Sequence, residues 1–251
     1  MFKHAVLHAA LVEQARANRT CLYVETHAAR GVYDLTSKQA TKTGEAKDGV
    51  IALLDDTPKV LRPLKPWIDL VRNRGTGSYP GSPALAQATL DPKSARLVLF
   101  EMHKTEHAEL VTRVGGPSNT LIHQGDGYSG ALKLAPRRGE DMFVFLDPSY
   151  ETERDMDALA NWLPRALRRW PNAHILVWLP LFQDSREVDF GAHVASLSSG
   201  FVAGVRWPED SESGSALEGS AVIGLNFDDE MGKKALAIAN ALEIYWERQA
   251  T

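Results

Sequence analysis

The chain has 251 residues, 24% of them charged and 44% hydrophobic, an ordinary balance for a soluble globular protein with room for one large core. A formal net charge of −4 excludes a strong non-specific polyanion binder and leaves space for a local basic patch. A single cysteine, Cys21, excludes an intrachain disulfide framework and fits a reducing compartment, and no apolar stretch is long enough to span a bilayer.

The first residues, MFKHAVLHAALVEQARANRT, carry apolar positions at helical spacing and lack the shape of a signal peptide, so they predict an amphipathic helix of a cytoplasmic protein. CLYVE (21–25) is the first short apolar run, and Cys21 within it reads as buried packing. RLVLFE (96–101), TLIHQ (120–124), MFVFLD (142–147) and HILVWLP (174–180) repeat the pattern, which is that of parallel strands covered on both faces. Helical patterns at 104–113, 127–134, 153–170 and 184–198 alternate with these runs and predict a doubly wound parallel sheet. Roughly 70 residues separate the first two strands, too many for one crossover helix, so a small helical insertion is expected at about 35–78. FVAGVRW (201–207) and SAVIGLNF (220–227) read as a hairpin around the polar loop 208–220, and a helix over 229–248 closes the chain.

Open α/β sheets bind ligands beyond the carboxyl ends of their strands, and four strand ends here carry suitable residues. ETHAARG (25–31) is a turn of small residues that lets backbone approach a nucleotide-like ligand, or an ordinary strand–helix turn. Glu101 can accept both ribose hydroxyls, or serve as a solvated loop acid. In GDG (125–127), Asp126 can accept from an adenine amino group, with Gly127 permitting close approach; it is equally suited to cap a helix, and both can hold.

The fourth strand ends in DPSY (147–150). The exocyclic amine of adenine is a poor nucleophile because its lone pair is delocalised into the ring. The Asp147 carboxylate and the Pro148 carbonyl can hold both amine hydrogens, which favours a tetrahedral nitrogen aimed at a methyl donor. Proline stiffens the turn, and Tyr150 offers a flat face for a base swung out of its stack. The plain alternative is an Asp-Pro turn with a packed tyrosine. HKTEH (103–107) matches the zinc-protease pattern H-x-x-E-H without a third ligand and is set aside as a metal site. PRRGED (136–141) and PRALRRW (164–170) cluster basic residues that are either a solvated face or a contact to an RNA backbone.

Taken in order, FKH, THA…G.Y.L (26–35), TGE…G (43–49), YPGSP (79–83), E.H (101–103), DG (126–127), DP.Y (147–150), W.P (178–180) and GS (219–220) resemble the bacterial J-type family of ribosomal RNA large-subunit methyltransferases, also named DNA-utilisation or competence proteins. The resemblance runs through most of the chain. It implies an α/β, Rossmann-like class I fold with a helical insertion after the first strand, forming one methyltransferase domain over 1–251. It further implies S-adenosyl-L-methionine as cofactor and 23S rRNA as partner and substrate, methylated at an adenine N6 by a monomer with no metal and no membrane attachment. The family's donor-binding positions match His4, His27, Ser82, Glu101, Asp126 and Gly127, and its catalytic acid matches Asp147, beside Pro148 and Tyr150.

The sequence departs from the family at four places. The family carries a segment Y-R-H-x-F-H-A-G-N-x-A-D ahead of KH, where Met1 and Phe2 stand here. The G-A-G turn is Ala29-Arg30-Gly31, preceded by Glu25 in place of Asp, with Arg30 available to a donor carboxylate. Ser149 replaces the second proline of DPPY, and NFDD (226–229) replaces NPPW. These departures support two other readings: a methyltransferase-fold protein that binds donor or nucleic acid with little or no catalysis, or a methyltransferase of DNA or a small molecule.

Overall fold

Strand β1 (Cys21–Glu25) follows helix α1 (Phe2–Arg16) and is buried at every residue. The computed structural model describes residues 1–35, 58–75, 77–150, 153–207 and 217–249. After β1 the described elements are β2 (Val32–Asp34), a 3-10 helix (Lys59–Leu64), α2 (Lys65–Asn73), β3 (Ser78–Pro80), α3 (Ser82–Thr89), β4 (Ala95–Glu101) and α4 (Lys104–Val114). They continue with β5 (Thr120–Gln124), α5 (Gly127–Ala131), β6 (Asp141–Leu146), α6 (Glu153–Arg169), β7 (His174–Phe182), α7 (Val188–Ser196), β8 (Gly200–Arg206), β9 (Leu217–Leu225) and α8 (Asp229–Gln249).

Seven strands form one sheet in the order β5-β4-β1-β6-β7-β9-β8. The first five are parallel, and β9 runs antiparallel to both β7 and β8. The two-residue period of the strands sorts their side chains into two cores. Cys21, Tyr23, Leu97, Leu99, Phe143 and Phe145 face one layer, which holds α1, α2, α3, α4 and α8. Leu22, Val24, Val98, Val144, Ile175 and Val177 face the other, which holds α5, α6 and α7. Near-continuous apolar runs are therefore what β1, β4 and β6 require, because each strand is covered twice.

Several expectations change. Helix α1 is not amphipathic: Ala5, Ala9 and Val12 stand opposite Phe2, Val6, Leu7, Ala10 and Leu11, so apolar residues run round a helix that α2, α3, α8 and β9 contact. Strand β5 is not covered on both faces; it forms the edge of the sheet, and Leu121 is 54% exposed. Of the loop expected at 208–220, residues 208–216 lie outside the described residues and 217–220 belong to β9, where Leu217 pairs with Phe182 and Gly219 with Arg206. The expected insertion at about 35–78 falls partly on residues 36–57, outside the described residues; its described part contains the 3-10 helix and α2. A small antiparallel pair, β2 with β3, flanks it and was not anticipated.

Candidate active site

The chain order reverses between β1 and β6, which makes the crevice beyond their carboxyl ends a topological switch point. Register places the four strand ends side by side. Glu25 pairs with Leu99 and Phe145, so Glu101 and Asp147 each stand two residues further on, flanking Thr26 and His27. Glu101 pairs with Gln124, which brings Asp126 to the same edge. The loop after β1 stays tied to both neighbours: Thr26 N–H donates to the Phe145 carbonyl at 3.3 Å and Ala28 N–H to the Phe100 carbonyl at 2.9 Å. His27 sits among the acids. Burial lowers its imidazole pKa, while Asp147, Glu101 and Asp126 pull it back up.

Asp147 is held by a residue the sequence reading left without a role. The Lys3 ammonium lies 2.7 Å from both carboxylate oxygens, with the two side chains 23% and 15% exposed. The same ammonium stands 4.1 Å over the Trp178 ring. The Trp178 indole N–H donates to the Ser220 hydroxyl at 2.8 Å, and the Trp178 carbonyl accepts from the Tyr150 hydroxyl at 2.6 Å. FKH, DP.Y, W.P and GS, far apart in sequence, thus meet around one indole. Pro148 is buried in the turn.

Tyr150 departs from expectation. Its ring is 4% exposed and packs edge-on against Trp178 at 5.7 Å, so it offers no free face to a base. The residue also takes a left-handed φ of 53°, which turns the side chain into the core after Asp147 has faced the crevice.

Below the crevice Glu25 is fully buried. The Ser82 hydroxyl donates to one carboxylate oxygen and the Tyr23 hydroxyl to the other, the latter at 3.0 Å. Burial pushes the Glu25 carboxyl up to about 8, against these two hydrogen bonds, which pull it down. His4 is buried nearby with Nδ1 2.6 Å from the Tyr79 hydroxyl, and burial followed by the Lys3 charge lowers its pKa. Neither Glu25 nor Tyr79 was singled out from sequence as a site residue. An acid inside the apolar run CLYVE was the available signal.

The turn after β1 is pinned. Glu101 accepts from Ala29 N–H at 2.8 Å and from His103 N–H at 2.7 Å, one bond to each oxygen, and keeps lone pairs for further donors. Ala29 sits at φ 48°, a left-handed position that costs an alanine about 1 kcal/mol more than a glycine. Arg30 is not available to a donor carboxylate: its guanidinium grips both oxygens of Glu106, with Nε at 2.9 Å. Glu106 of HKTEH is therefore an ion-pair partner. Asp126 caps α5, accepting from Tyr128 N–H and Ser129 N–H at 3.0 and 3.2 Å. The close approach that Gly127 permits is to Thr26, whose carbonyl a Cβ would strike, and so it is made by the chain itself. Cys21 is buried, and burial pushes its thiol up to about 12, as inert packing requires.

A family model described as ribosomal RNA large subunit methyltransferase D, RlmJ, matches residues 18–198. The chain belongs to this family. Among curated relatives, ribosomal RNA large subunit methyltransferase J of Escherichia coli (strain K12) is 28% identical over 190 residues, covering 72% of this chain and 65% of the relative. Its namesake from Haemophilus influenzae is 25% identical over 186 residues, covering 72% and 66%. The chain thus spans just under two thirds of each relative's length. In structure it is similar to a protein of Legionella pneumophila str. Philadelphia 1, with a TM-score of 0.84 at 22% identity over 98% of this chain and 91% of that one. It is also similar to a probable spermidine synthase of Corynebacterium glutamicum, with a TM-score of 0.53 at 10% identity over 99% and 77%. The fold is the Rossmann-like class I methyltransferase fold.

Family and fold imply S-adenosyl-L-methionine as the methyl donor. The residues at the strand ends fit such a molecule. Glu101 and Asp126, on adjacent strand ends, present acceptor oxygens suited to a ribose diol and an exocyclic amine. Met102, 71% exposed, puts an apolar side chain directly beside Glu101.

Proposed function

We propose that the protein transfers a methyl group from S-adenosylmethionine to the N6 of an adenine in RNA, with 23S rRNA as substrate, acting as a cytoplasmic monomer. The observation that carries this reading is Asp147, ion-paired to Lys3 and followed by Pro148, at the switch point of the sheet.

The bound donor supplies an electrophilic methyl group on its sulfonium sulfur. Glu101 would accept from the ribose hydroxyls and Asp126 from the donor's adenine amine, with His27 between the strand ends, Ser82 and His4 acting from below through Glu25 and Tyr79, and Gly127 keeping α5 against the Thr26 loop. The Asp147 carboxylate and the Pro148 carbonyl accept the two hydrogens of the target amine and free its lone pair. Lys3 keeps the Asp147 oxygens fixed on one side while the amine takes the other. The freed lone pair would take the methyl group, and the donor would leave as the neutral thioether. One amine proton then passes to an Asp147 oxygen and on to solvent. Tyr150 braces the turn through its bond to Trp178; stacking on a flipped base requires its ring to swing out of the core.

Labelled S-adenosylmethionine and a 23S rRNA transcript test this directly. Asp147→Ala is expected to lower transfer by about a hundredfold or more, while S-adenosylhomocysteine affinity stays within a few-fold. Full transfer by that variant sinks the assignment. A second reading, donor or nucleic-acid binding without transfer, is favoured by the buried ring of Tyr150. It gains if wild-type protein binds S-adenosylhomocysteine and methylates no RNA.

A further inference from the structure

Helices α5 and α6 leave an open groove of about 490 Å³ beside the strand ends. Ala158, Asn161, Trp162 and Arg165 follow the i, i+3, i+4, i+7 spacing, so they form the single face of α6 that looks toward α5. Tyr128, Leu132 and Lys133 form the opposite wall. The floor is apolar and fixed: Trp162 is buried, donates its indole N–H to the Tyr128 carbonyl at 2.7 Å, and packs 5.8 Å from the Tyr128 ring. The rim is polar, with Ser129, Lys133, Asn161 and Arg165 exposed.

The charge of this rim runs against that of the chain. Net charge is −4, yet among the described residues no ion pair neutralises Lys133 or Arg165. Asp126 borders the groove and keeps its charge, but its oxygens are turned to the N–H groups of its own helix and it makes no ion pair with Lys133 or Arg165 among the described residues. One turn beyond Arg165, Arg169 donates to the Leu134 carbonyl at 3.2 Å and so holds the strand of chain that carries Lys133. One side chain joins the groove to the crevice, for Tyr128 meets His27 edge-on at 5.0 Å and Trp162 at 5.8 Å. The Tyr128 hydroxyl is buried without a hydrogen-bond partner among the described residues.

We propose that this groove seats the RNA strand next to the target adenine, with a phosphate between Lys133 and Arg165 and the adjoining nucleoside on Leu132 and Tyr128. The inference rests on the function proposed above and adds the place where the substrate backbone is gripped. Phosphate contacts of this kind set register and orientation, and they register in the salt dependence of binding.

The test uses the full chain and a 23S rRNA transcript. The double variant Lys133→Glu/Arg165→Glu is expected to weaken RNA binding about tenfold or more and to reduce the slope of log affinity against log salt by about 2. S-adenosylhomocysteine affinity and melting temperature should stay at wild-type values, since both side chains are exposed. The conservative pair Lys133→Arg/Arg165→Lys should restore binding. Arg16→Glu/Lys93→Glu makes the same change of net charge at the amino end of the strands, away from the groove. It should leave the slope alone. Equal losses in both reversed doubles would mean that net charge alone matters and would overturn the proposal. Unchanged affinity and slope in the groove variant, with a wild type that binds and methylates the transcript, would overturn the groove and leave the proposed function standing. A wild type that neither binds nor methylates the transcript would overturn both.

Discussion

Lys3 holds both carboxylate oxygens of Asp147 at 2.7 Å while its ammonium lies 4.1 Å over Trp178, so one lysine joins the candidate catalytic acid to an aromatic shelf. A hydrogen bond to a charged group contributes about 1.5–3 kcal/mol. Lys3→Met should therefore lower single-turnover methyl transfer by about tenfold to a hundredfold by that measure. S-adenosylhomocysteine affinity should hardly change. Wild-type transfer in this variant would show that the pair is a bystander.

The shelf itself is anchored by Ser220, which accepts the Trp178 indole N–H at 2.8 Å. Ser220→Ala leaves that donor unpaired and should cost about 1 kcal/mol of stability. A larger relative effect is expected on transfer, because the indole orients Lys3. Trp178→Phe should keep more transfer than Trp178→Leu, since an aromatic face still receives the ammonium. Equal activity in these two variants would remove the cation–ring contact from the account.

Ala29 is strained by its left-handed φ of 48°. Ala29→Gly relieves a left-handed alanine, a gain of about 1 kcal/mol that added chain entropy offsets in part, so unfolding stability should rise by about 0.5 kcal/mol. Denaturant midpoints check this. A drop in midpoint would show that the turn does not hold φ 48° in solution.

Glu25 makes stability depend on pH. Its carboxyl is pushed up to about 8 in the folded protein, against about 4.3 in an unfolded chain. Between those values the folded protein holds a proton that the unfolded chain has released. The stability this site provides is therefore complete below about pH 4.3 and falls as pH rises to about 8, by up to about 1.4 kcal/mol per pH unit. Above that window the contribution is flat. Glu25→Gln keeps a neutral group in place and should flatten the slope of urea midpoint against pH across the window. Identical slopes in wild type and variant would show that Glu25 is ionised when buried.

Much of the sheet was readable because β1, β4 and β6 are double-faced and their apolar runs are unbroken. TLIHQ has only Leu121 and Ile122 as apolar residues and forms an exposed edge, a placement that its Thr120, His123 and Gln124 already suited. The acids at the strand ends were also legible, because Glu101 and Asp147 each follow an apolar run directly and Asp126 stands between two glycines just past TLIHQ. Their partners were not. Lys3 and Asp147 are 144 positions apart, Trp178 and Ser220 42, and no local pattern encodes such pairings. Tyr150 misled for a different reason: the sequence gives its chemistry, while a positive φ decides which way the ring faces. Arg30 was likewise free on paper and is held by Glu106 one helix away.

The central claim, N6-methylation of an adenine in 23S rRNA, is tested most directly by nucleoside mass spectrometry of 23S rRNA from cells with and without the gene. The account predicts that N6-methyladenosine falls when the gene is removed, returns with the wild-type chain and does not return with Asp147→Ala. An unchanged N6-methyladenosine content in cells lacking the gene would contradict it.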